Sequence, residues 1–397
     1  MRVAGIIAEY DPFHKGHAAH IQATRQEGKA THVVAVISGS FTQRGMPAAF
    51  TKFQRTAMAL AGGADLVLEL PLPWSMASAQ RFAEGGVALL KGLGCVDTLS
   101  FGSECGQTAP LQRLAALSET QTFKDALQSA LDTGIPYAAA QQAAAASILG
   151  EEEAALLNSP NNTLGLEYIR AAASQKADFD YFTLTRQGAL HNEDAPKSGF
   201  ASGSWLRSVL QSGEWSAVQP YVPTAVFSLL QEEIASGNAP VDSHFLEKML
   251  PARLRTMTVA QLAELPYLSE GLEQRLHKAI HTATDYSQLI DAIKTKRYPL
   301  SRIRRVLWAA FLGMKKQDVV EQPPYIRLLG MNKRGRDILA AAAPTLPLVA
   351  RRVDIDRLDA RAQRVFELES LATDLTALAL PHPQPCGRDS TYKLLSV

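Results

Sequence analysis

The chain has 397 residues, of which 46% are hydrophobic and 20% charged, and its formal net charge at pH 7 is +1. This length predicts two or three domains with an ample core, and the composition is typical of a soluble globular protein. No apolar run reaches the roughly 18 residues that a membrane span requires, and the short apolar segment after Arg2 lacks the pattern of a signal peptide, so we expect a cytoplasmic protein without membrane contact. The three cysteines lack zinc-ligand spacing and indicate neither a disulfide framework nor a structural zinc site.

The first elements predicted along the chain are a buried strand, a turn and a helix. Residues 3–8 form a short apolar run typical of a strand buried on both faces, and residues 18–26 have a helical pattern. Pro12 disfavours helical angles at Asp11, so the turn is set before the helix opens near Gly16. The helix-start amides and the imidazoles of His14 and His17 then face one point beyond the strand, where an anion is the expected ligand.

Strands and helices continue to alternate up to residue 184. Further strands are predicted at 31–37, 64–71, 96–101 and 179–184, with helices at 52–61 and 75–93. This alternation predicts a Rossmann-like, doubly wound parallel α/β sheet. Residues 108–150 are rich in Ala, Leu and Gln and interrupt the pattern as a helical insertion.

Two later loops each open a predicted helix. Asn161 and Asn162 follow a proline, and capping explains one of them while the other is left for a ligand. In the second loop Ser202 and Ser204 precede Arg207, and an ordinary N-cap would explain either serine alone.

Strand patterns fade after residue 215, and most of the remaining chain has helical periodicity. We therefore predict a first domain over residues 1–215 and a helical, partly basic second domain over residues 216–397. Between residues 294 and 336, twelve Lys and Arg stand against two acids, so this segment carries +10 and the rest of the chain −9. A polyanion is the expected partner of such a segment.

Two motifs resemble the signatures of the HIGH-type nucleotidyltransferase superfamily. The sequence His14-Lys15-Gly16-His17 has the HxGH form, and residues 201–207 resemble the distant ISSTxxR motif, with Ala201 and Gly203 departing from it. The resemblance implies that the histidines and helix-start amides stabilise the phosphate charge of ATP while pyrophosphate leaves. The alternative for HxGH alone is a turn with two surface histidines.

Longer runs narrow the resemblance to a family. The runs GIIAEYDPFHKGH from Gly5, SGSFTQRGMPA from Ser38, DLVLELP from Asp65, FGSE from Phe101 and PNNTLGLEYI from Pro160 closely resemble the bacterial tRNA(Met) cytidine acetate ligases. That family uses ATP and acetate to form acetyl-adenylate and passes the acetyl group to N4 of the wobble cytidine of elongator tRNA(Met). Asp11, Ser40, Thr42 and Met46 stand where the family has Asn, Asn, Val and Glu.

The resemblance, together with the charge of the 294–336 segment for the tRNA-binding set, gives three sets of expected site residues. His14, His17 and Arg44 are the expected catalytic residues. Those expected to bind ATP are Ile7, Ala8, Glu9, Tyr10, Asp11, Pro12, Phe13, His14, Lys15, Gly16, His17, His20, Gly102, Asn161, Asn162, Arg186, Gln187, Ser202, Ser204 and Arg207. Of the two asparagines, the resemblance favours Asn162 over Asn161. Those expected to bind tRNA are Arg302, Arg304, Arg305, Lys315 and Lys316. Mg²⁺ is expected with ATP, although no carboxylate cluster indicates a metal site of the protein itself. Lys52 and Arg55 fit either the edge of this site or a solvated helix face.

Two other functions fit parts of the sequence. A nucleotidyltransferase acting on a small phosphorylated metabolite would turn over without RNA and would give the basic segment no role. An RNA-binding protein with a vestigial nucleotide site would bind tRNA without exchanging pyrophosphate into ATP. The sequence leaves the oligomeric state open.

Overall fold

The computed structural model describes residues 1–185, 196, 199–269, 271–295, 298–319 and 322–397. Within these ranges one eight-stranded sheet has the order β5-β4-β1-β2-β3-β6-β7, and β8 pairs with β6. The strands are β1 Val3–Ala8, β2 His32–Ser38, β3 Leu66–Leu70, β4 Thr98–Ser103, β5 Asp180–Thr185, β6 Ile326–Met331, β7 Leu348–Val349 and β8 Leu395–Ser396.

Helices surround this sheet. Those of the first half are α1 Lys15–Gln26, α2 Lys52–Ala61, α3 Leu72–Ser75, α4 Ala79–Leu93, α5 Thr108–Leu117, α6 Gln121–Asp132, α7 Tyr137–Leu149, α8 Glu151–Ala154, α9 Pro160–Ser174 and α10 Gly203–Gln211. Those of the second half are α11 Thr224–Ala235, α12 Ser243–Arg255, α13 Val259–Ala263, α14 Leu272–Thr282, α15 Tyr286–Ile293, α16 Leu300–Leu312, α17 Lys333–Ala341, α18 Arg352–Ile355, α19 Ala360–Ala377 and α20 Arg388–Thr391. No helix among the described residues combines the length and apolar composition needed to cross a membrane.

The first five strands form the predicted parallel sheet. β1 lies between β2 and β4, β2 pairs with β3, β4 pairs with β5, and all four pairings are parallel. Alternate residues of β1 enter different cores. Val3 and Ile7 belong to the same buried cluster as Phe82 of α4, whereas Ile6 belongs to the cluster that contains Met58 of α2. The Rossmann-like, doubly wound sheet is therefore confirmed. Because the chain builds β2 and β3 on one side of β1 and then β4 and β5 on the other, the strand order switches at β1 and β4, where such sheets bind ligands.

The second half of the chain is not wholly helical, which corrects the sequence expectation. β6 pairs antiparallel with β3 and extends the sheet, and β7 and β8 pair in parallel with β6. Ile326, Leu328 and Leu329 of β6 are buried. The short run around them lies inside the basic segment, and only the long-range pairing with β3 makes it a strand.

Helices α12 to α16 build a core of their own. It contains Leu246, Leu250, Leu276, Leu289 and Trp308, and Phe41 and Leu72 from the sheet region also enter it. This core therefore contains residues from both sides of residue 215. The domain boundary that the sequence analysis places there stays a prediction. Helices α5 to α7 occupy the predicted insertion.

Candidate functional site

A cavity of about 1010 Å³ lies at the carboxyl edge of the sheet, beside the ends of β1 and β4. Most of the predicted site residues line it. They are Ile7, Ala8, Glu9, Tyr10, Asp11, His14, Gly16, His17, His20, Arg44, Gly102, Asn161, Ser204, Arg207 and Arg304. Pro12, Phe13, Lys15, Asn162 and Ser202 are not part of its lining. Arg186 and Gln187 lie outside the described residues.

The two histidines of the HxGH motif are held against each other at the start of α1. His14 is the N-cap residue, and its extended backbone (φ −134°, ψ 173°) turns the chain from β1 into the helix. Its amide donates a hydrogen bond of 3.2 Å to Nδ1 of His17. The two rings stack with centroids 3.6 Å apart and an interplanar angle of 20°. The ring centroids of Tyr10 and Phe13 lie 4.7 and 5.4 Å from that of His17. These two rings and the ring of His14 together restrict the position of the His17 side chain.

This arrangement sets the tautomer of His17. A backbone amide can only donate, so Nδ1 of His17 must be the acceptor and carries no hydrogen. The ring hydrogen of neutral His17 is then on Nε2, which is a hydrogen-bond donor. Donors of this kind in a cavity suit an anionic ligand such as a phosphate.

Gly16 is required for the histidine pair itself. A Cβ at this position would lie 2.9 Å from Cε1 of His14 and 3.0 Å from its Nδ1. A larger residue would therefore displace the His14 ring, which adds a second reason for glycine to the expected approach of phosphates.

His20, one turn further along α1, connects the helix to the sheet. Its Nε2 lies 2.8 Å from Oγ of Ser100 on β4, and the Thr24 hydroxyl lies 2.7 Å from the same oxygen. Because these contacts join α1 to β4, they fix the helix start relative to the switch point.

The second predicted phosphate motif lies opposite, at the start of α10. Arg207 donates from Nη1 to the main-chain oxygen of Asp11 at 2.6 Å and from Nη2 to Oγ of Ser204 at 3.4 Å. Ser202 is the N-cap, and its hydroxyl accepts from the amide of Trp205 at 3.2 Å. The capping alternative therefore describes Ser202, while Ser204 and Arg207 face the cavity together with the start of α1. Two positive helix ends at one cavity favour a polyanion.

Asp11 holds the loop that precedes α2. Its Oδ2 accepts from the amide of Ala49 at 2.9 Å, and its Oδ1 accepts from the amide of Phe50 at 3.0 Å. Each amide is bound by a different oxygen of the carboxylate. The carboxamide expected from the family has one oxygen and one NH2 group, and could not bind the two amides in this way.

Arg55 ties the same loop to the strand ends and is not on a solvated helix face. Its guanidinium donates to the main-chain oxygen of Phe50 at 2.9 Å, to that of Glu9 at 2.8 Å and to Oγ of Ser38 at 3.2 Å. The side chain is fully buried, as is that of Lys52. Arg55 therefore shapes the cavity wall from behind.

Lys52 belongs to a buried charge cluster that sequence analysis missed. We define it as Lys52, Glu69, Arg327, Glu369 and Asp389. Lys52 Nζ lies 2.6 Å from Glu69, 2.7 Å from Asp389 and 3.5 Å from Glu369, and Arg327 pairs with Glu69 at 3.1 Å and with Asp389. The carboxylate of Glu369 also accepts from the amides of Ser40 and Leu72 at 3.3 and 2.6 Å. The cluster thus fixes the carboxyl ends of β2 and β3 to the C-terminal region.

Three guanidinium groups act on the same cavity. Burial lowers the pKa of Arg44, the charge of Glu9 opposes this, and the charges of Arg207 and Arg304 lower it further. Arg207 and Arg304 are therefore close enough to repel Arg44. Such a concentration of like charge is costly without an anion, so the cavity is built for a ligand of high negative charge.

The Asn pair divides into a lining residue and a structural residue. Asn162 is buried, and its Oδ1 accepts from the amides of Glu104 and Cys105 at 2.9 and 3.1 Å. Asn161 faces the cavity, which reverses the order of preference given by the sequence. Glu104 was missed: its carboxylate accepts from the amides of Asn161 and Asn162 at 3.2 and 2.8 Å and anchors α9. The only sequence signal for it was its place in the FGSE run.

The predicted tRNA-binding residues are spread over α16 and the segment after it. Arg302 donates to the main-chain oxygen of Tyr267 and to Ser269, and Lys315 and Lys316 are exposed. Arg305 is only 8% exposed and donates to the main-chain oxygen of Gln43 at 3.3 Å. It therefore holds the 38–48 loop, and Arg304 is the member of the set that lines the cavity.

Comparison with known proteins agrees with this geometry. Residues 1–390 match the family described as HIGH Nucleotidyl Transferase. The tRNA(Met) cytidine acetate ligases of Acetivibrio thermocellus and of Thermoanaerobacter sp. are each 34% identical to the chain, and each match covers 100% of both sequences. The crystal structure of Thermotoga maritima TmcAL bound with alpha-thio ATP has a TM-score of 0.92 at 30% identity, again over 100% of both chains.

Proposed function

The chain belongs to the HIGH nucleotidyl transferase family and, within it, to the tRNA(Met) cytidine acetate ligases, and from this premise we propose that it activates acetate with ATP and acetylates N4 of the wobble cytidine of elongator tRNA(Met). One observation carries the proposal: the His14–His17 pair and the Ser204–Arg207 pair meet at one cavity that also receives the starts of α1 and α10. The family relationship supports ATP as the substrate whose phosphates occupy it.

In the first step a carboxylate oxygen of acetate attacks the α-phosphorus of ATP. The bond from that phosphorus to the bridging oxygen breaks, and pyrophosphate leaves. Nε2–H of His17 and the helix-start amides stabilise the charge that develops on the phosphate oxygens, and Arg207 with Ser204 holds the leaving pyrophosphate. Acetate is already ionised at neutral pH, so this step requires no general base.

In the second step N4 of the cytidine attacks the carbonyl carbon of acetyl-adenylate. The new C–N bond forms, AMP leaves with the phosphate oxygen, and N4 releases one proton. The adenylate must be shielded from water until the base arrives, which favours a deep cavity over a surface site. An unpaired anticodon nucleotide can enter such a cavity more easily than a paired one.

Mg²⁺ would be held by the phosphate oxygens of ATP and not by a carboxylate cluster of this chain, and it would offset part of the phosphate charge. Among the described residues no group of three or more His, Cys, Asp or Glu side chains is placed to hold a metal ion. The acidic side chains that line the cavity near the HxGH turn are Glu9 and Asp11, and the Asp11 carboxylate is already engaged by two amides.

The helical part of the second half supplies the tRNA surface in this proposal. Arg302, Lys315 and Lys316 lie on or just after α16 and are suited to phosphate contacts, which position an RNA without reading its sequence. A tRNA-modifying enzyme would act in the cytoplasm.

Incubation with ATP, labelled acetate and total tRNA tests the proposal. We expect label in N4-acetylcytidine after nucleoside digestion, and none when ATP is omitted. Pyrophosphate exchange that requires a small phosphorylated metabolite but neither acetate nor RNA would favour the small-metabolite nucleotidyltransferase. Binding of tRNA without any pyrophosphate exchange would favour a vestigial nucleotide site.

A further inference from the structure

The cavity extends beyond the part that faces the nucleotide motifs. Gly102, Asn161 and Thr185 line it at the β4 and β5 side of β1. On the β2 side of β1 it continues between Arg44 in the 38–48 loop, Ser243 at the start of α12 and Arg304 on α16. We call this second part the acceptor compartment. The whole cavity, at about 1010 Å³, is at the upper end of the range for small-molecule sites, which leaves space for more than one substrate.

Arg304 has a buried donor without a partner. Its Nε is buried and forms no hydrogen bond. In the part of the chain that the structure describes, Arg304 forms no ion pair within 4.0 Å. Its charge acts on Arg44, whose pKa is lowered first by burial and also by Arg207 and Arg304. The Arg304 side chain also interacts with the carboxylate of Glu247 and the hydroxyl of Tyr286, while its Nε is left without an acceptor. An anion placed between the two guanidinium groups would accept a hydrogen bond from the buried Nε and would offset the repulsion between the two like charges.

The position of Arg304 in the chain indicates which anion this is. It lies on α16 between Arg302, which contacts Tyr267 and Ser269 at the surface, and the buried Arg305. Beyond the end of α16, Lys315 and Lys316 are exposed. Arg304 therefore lines the cavity, Arg305 supports the 38–48 loop, and Arg302, Lys315 and Lys316 lie at or near the surface. A polyanion that binds those three outer residues can also reach Arg304.

From this geometry we infer that Arg304 binds a phosphodiester directly next to the target cytidine and so positions the base in the acceptor compartment. This inference rests on the proposed function. Arg304 acts through the RNA backbone and touches neither the acetyl group nor N4, so it is a positioning residue. The planar guanidinium can donate two parallel hydrogen bonds to the nonbridging phosphate oxygens, with Nε as one of the donors.

A thermodynamic cycle between the protein and the RNA tests the inference. Elongator tRNA(Met) is assembled by ligation with a neutral methylphosphonate either 5′ or 3′ of the target cytidine, and each diastereomer is assayed. Acetyl transfer and tRNA affinity are measured for the wild-type protein and for Arg304→Gln. We expect each single change to reduce transfer about tenfold or more, and the double change to reduce it no further.

The matched control is Lys315→Gln, which removes one exposed charge just beyond the same helix. Its effect should add to that of the methylphosphonate, because it contacts a different phosphate. A methylphosphonate in the acceptor stem should likewise add to Arg304→Gln.

Two results would overturn the inference. Additive effects of Arg304→Gln with both neutral linkages would show that Arg304 does not bind either phosphate. A loss in acetate-dependent pyrophosphate exchange as large as the loss in transfer, with a raised KM for acetate or ATP, would assign Arg304 to the first step. Wild-type protein that fails to acetylate unmodified tRNA would instead contradict the proposed function. The tRNA affinities of the same protein and RNA variants would still measure the coupling between Arg304 and the phosphate.

Discussion

The amide of His14 donates a 3.2 Å hydrogen bond to Nδ1 of His17, while the two imidazole rings stack with their centroids 3.6 Å apart. The spacing of three residues makes both contacts possible, because the N-cap and the third helical residue lie on the same side of the first turn. His17 thereby has a defined tautomer before ATP binds, and little reorganisation is needed when charge develops on the phosphate.

Replacing His17 with Ala should reduce acetate-dependent ATP–pyrophosphate exchange by about 100-fold or more, because the substitution removes a donor to the developing phosphate charge. Removal of the side chain also releases the amide of His14. The control is His32→Ala at the opposite, amino-terminal end of the sheet, which should retain near-normal exchange. Equal exchange rates in the two variants would show that HxGH is only a turn.

Replacing Asp11 with Asn should destabilise the protein by about 1–3 kcal/mol, because Asp11 binds the two amides with different oxygens and Asn would place an NH2 donor against one of them. Urea denaturation of Asp11→Asn and of the exposed Asp178→Asn, which carries the same change in charge, measures the difference. Equal stabilities would mean that the Ala49–Phe50 segment does not depend on the carboxylate.

The buried charge cluster predicts a pH dependence of stability. Burial, and then the charge of Glu69, raises the pKa of Glu369 to about 8. Glu369 is therefore protonated at neutral pH, and the two cations Lys52 and Arg327 then balance the carboxylates of Glu69 and Asp389. A raised folded-state pKa contributes stability that is fully present below the unfolded value near 4.3 and is lost as the pH rises through about 8.

Glu369→Gln imitates the protonated side chain at every pH. Relative to wild type, its free energy of unfolding should increase as the pH is raised from 6 to 9, since the variant has no proton to lose. Denaturation at four pH values in this range checks the trend. A stability difference that is constant with pH would show that Glu369 is ionised throughout.

The two asparagines at the start of α9 should separate ligand binding from stability. Asn162→Ala leaves the amides of Glu104 and Cys105 without their acceptor and should lower the unfolding free energy by about 2 kcal/mol or more. Asn161→Ala should mainly raise the KM for ATP, because Asn161 faces the cavity. Thermal melts and exchange kinetics of both variants give the comparison. If Asn162→Ala raised the KM for ATP and Asn161→Ala lowered the stability, Asn162 would be the ligand-binding residue that the resemblance favours.

The outer basic residues predict a salt effect on tRNA affinity. Replacing Arg302, Lys315 and Lys316 together with Gln should reduce the slope of log affinity against log salt by up to about 2, since each lost phosphate contact in a single-stranded region removes about 0.7. The control replaces Lys124, Arg351 and Arg357, which are exposed and outside the basic segment. If the control lowers the slope as much, the effect is one of net charge and the tRNA surface lies elsewhere.

Local sequence patterns determined the core of the fold and half of the site. β1, β2, β3 and β4 are short, largely apolar runs bounded by turn residues, and such runs are typical of buried strands. The HxGH turn is equally local, because Pro12, the N-cap and the three-residue spacing of the imidazoles act within one helical turn. The starts of α1 and α10, which we propose bind phosphate, could therefore be singled out before any packing was known, the second of them through its resemblance to the ISSTxxR motif.

Packing between distant segments decided the rest. β6 is a strand because β3 offers it an edge, and Lys52 is buried because Glu69, Glu369 and Asp389, up to 337 positions apart in sequence, surround its charge. Arg304 and Arg305 show the same point on one helix: they are adjacent in sequence and chemically identical, yet one enters the cavity and the other supports the 38–48 loop. Successive helical residues point about 100° apart, so the two arginines lie on different faces of α16. The role of each depends on which part of the fold packs against its face, and the charge of a basic segment does not contain that information.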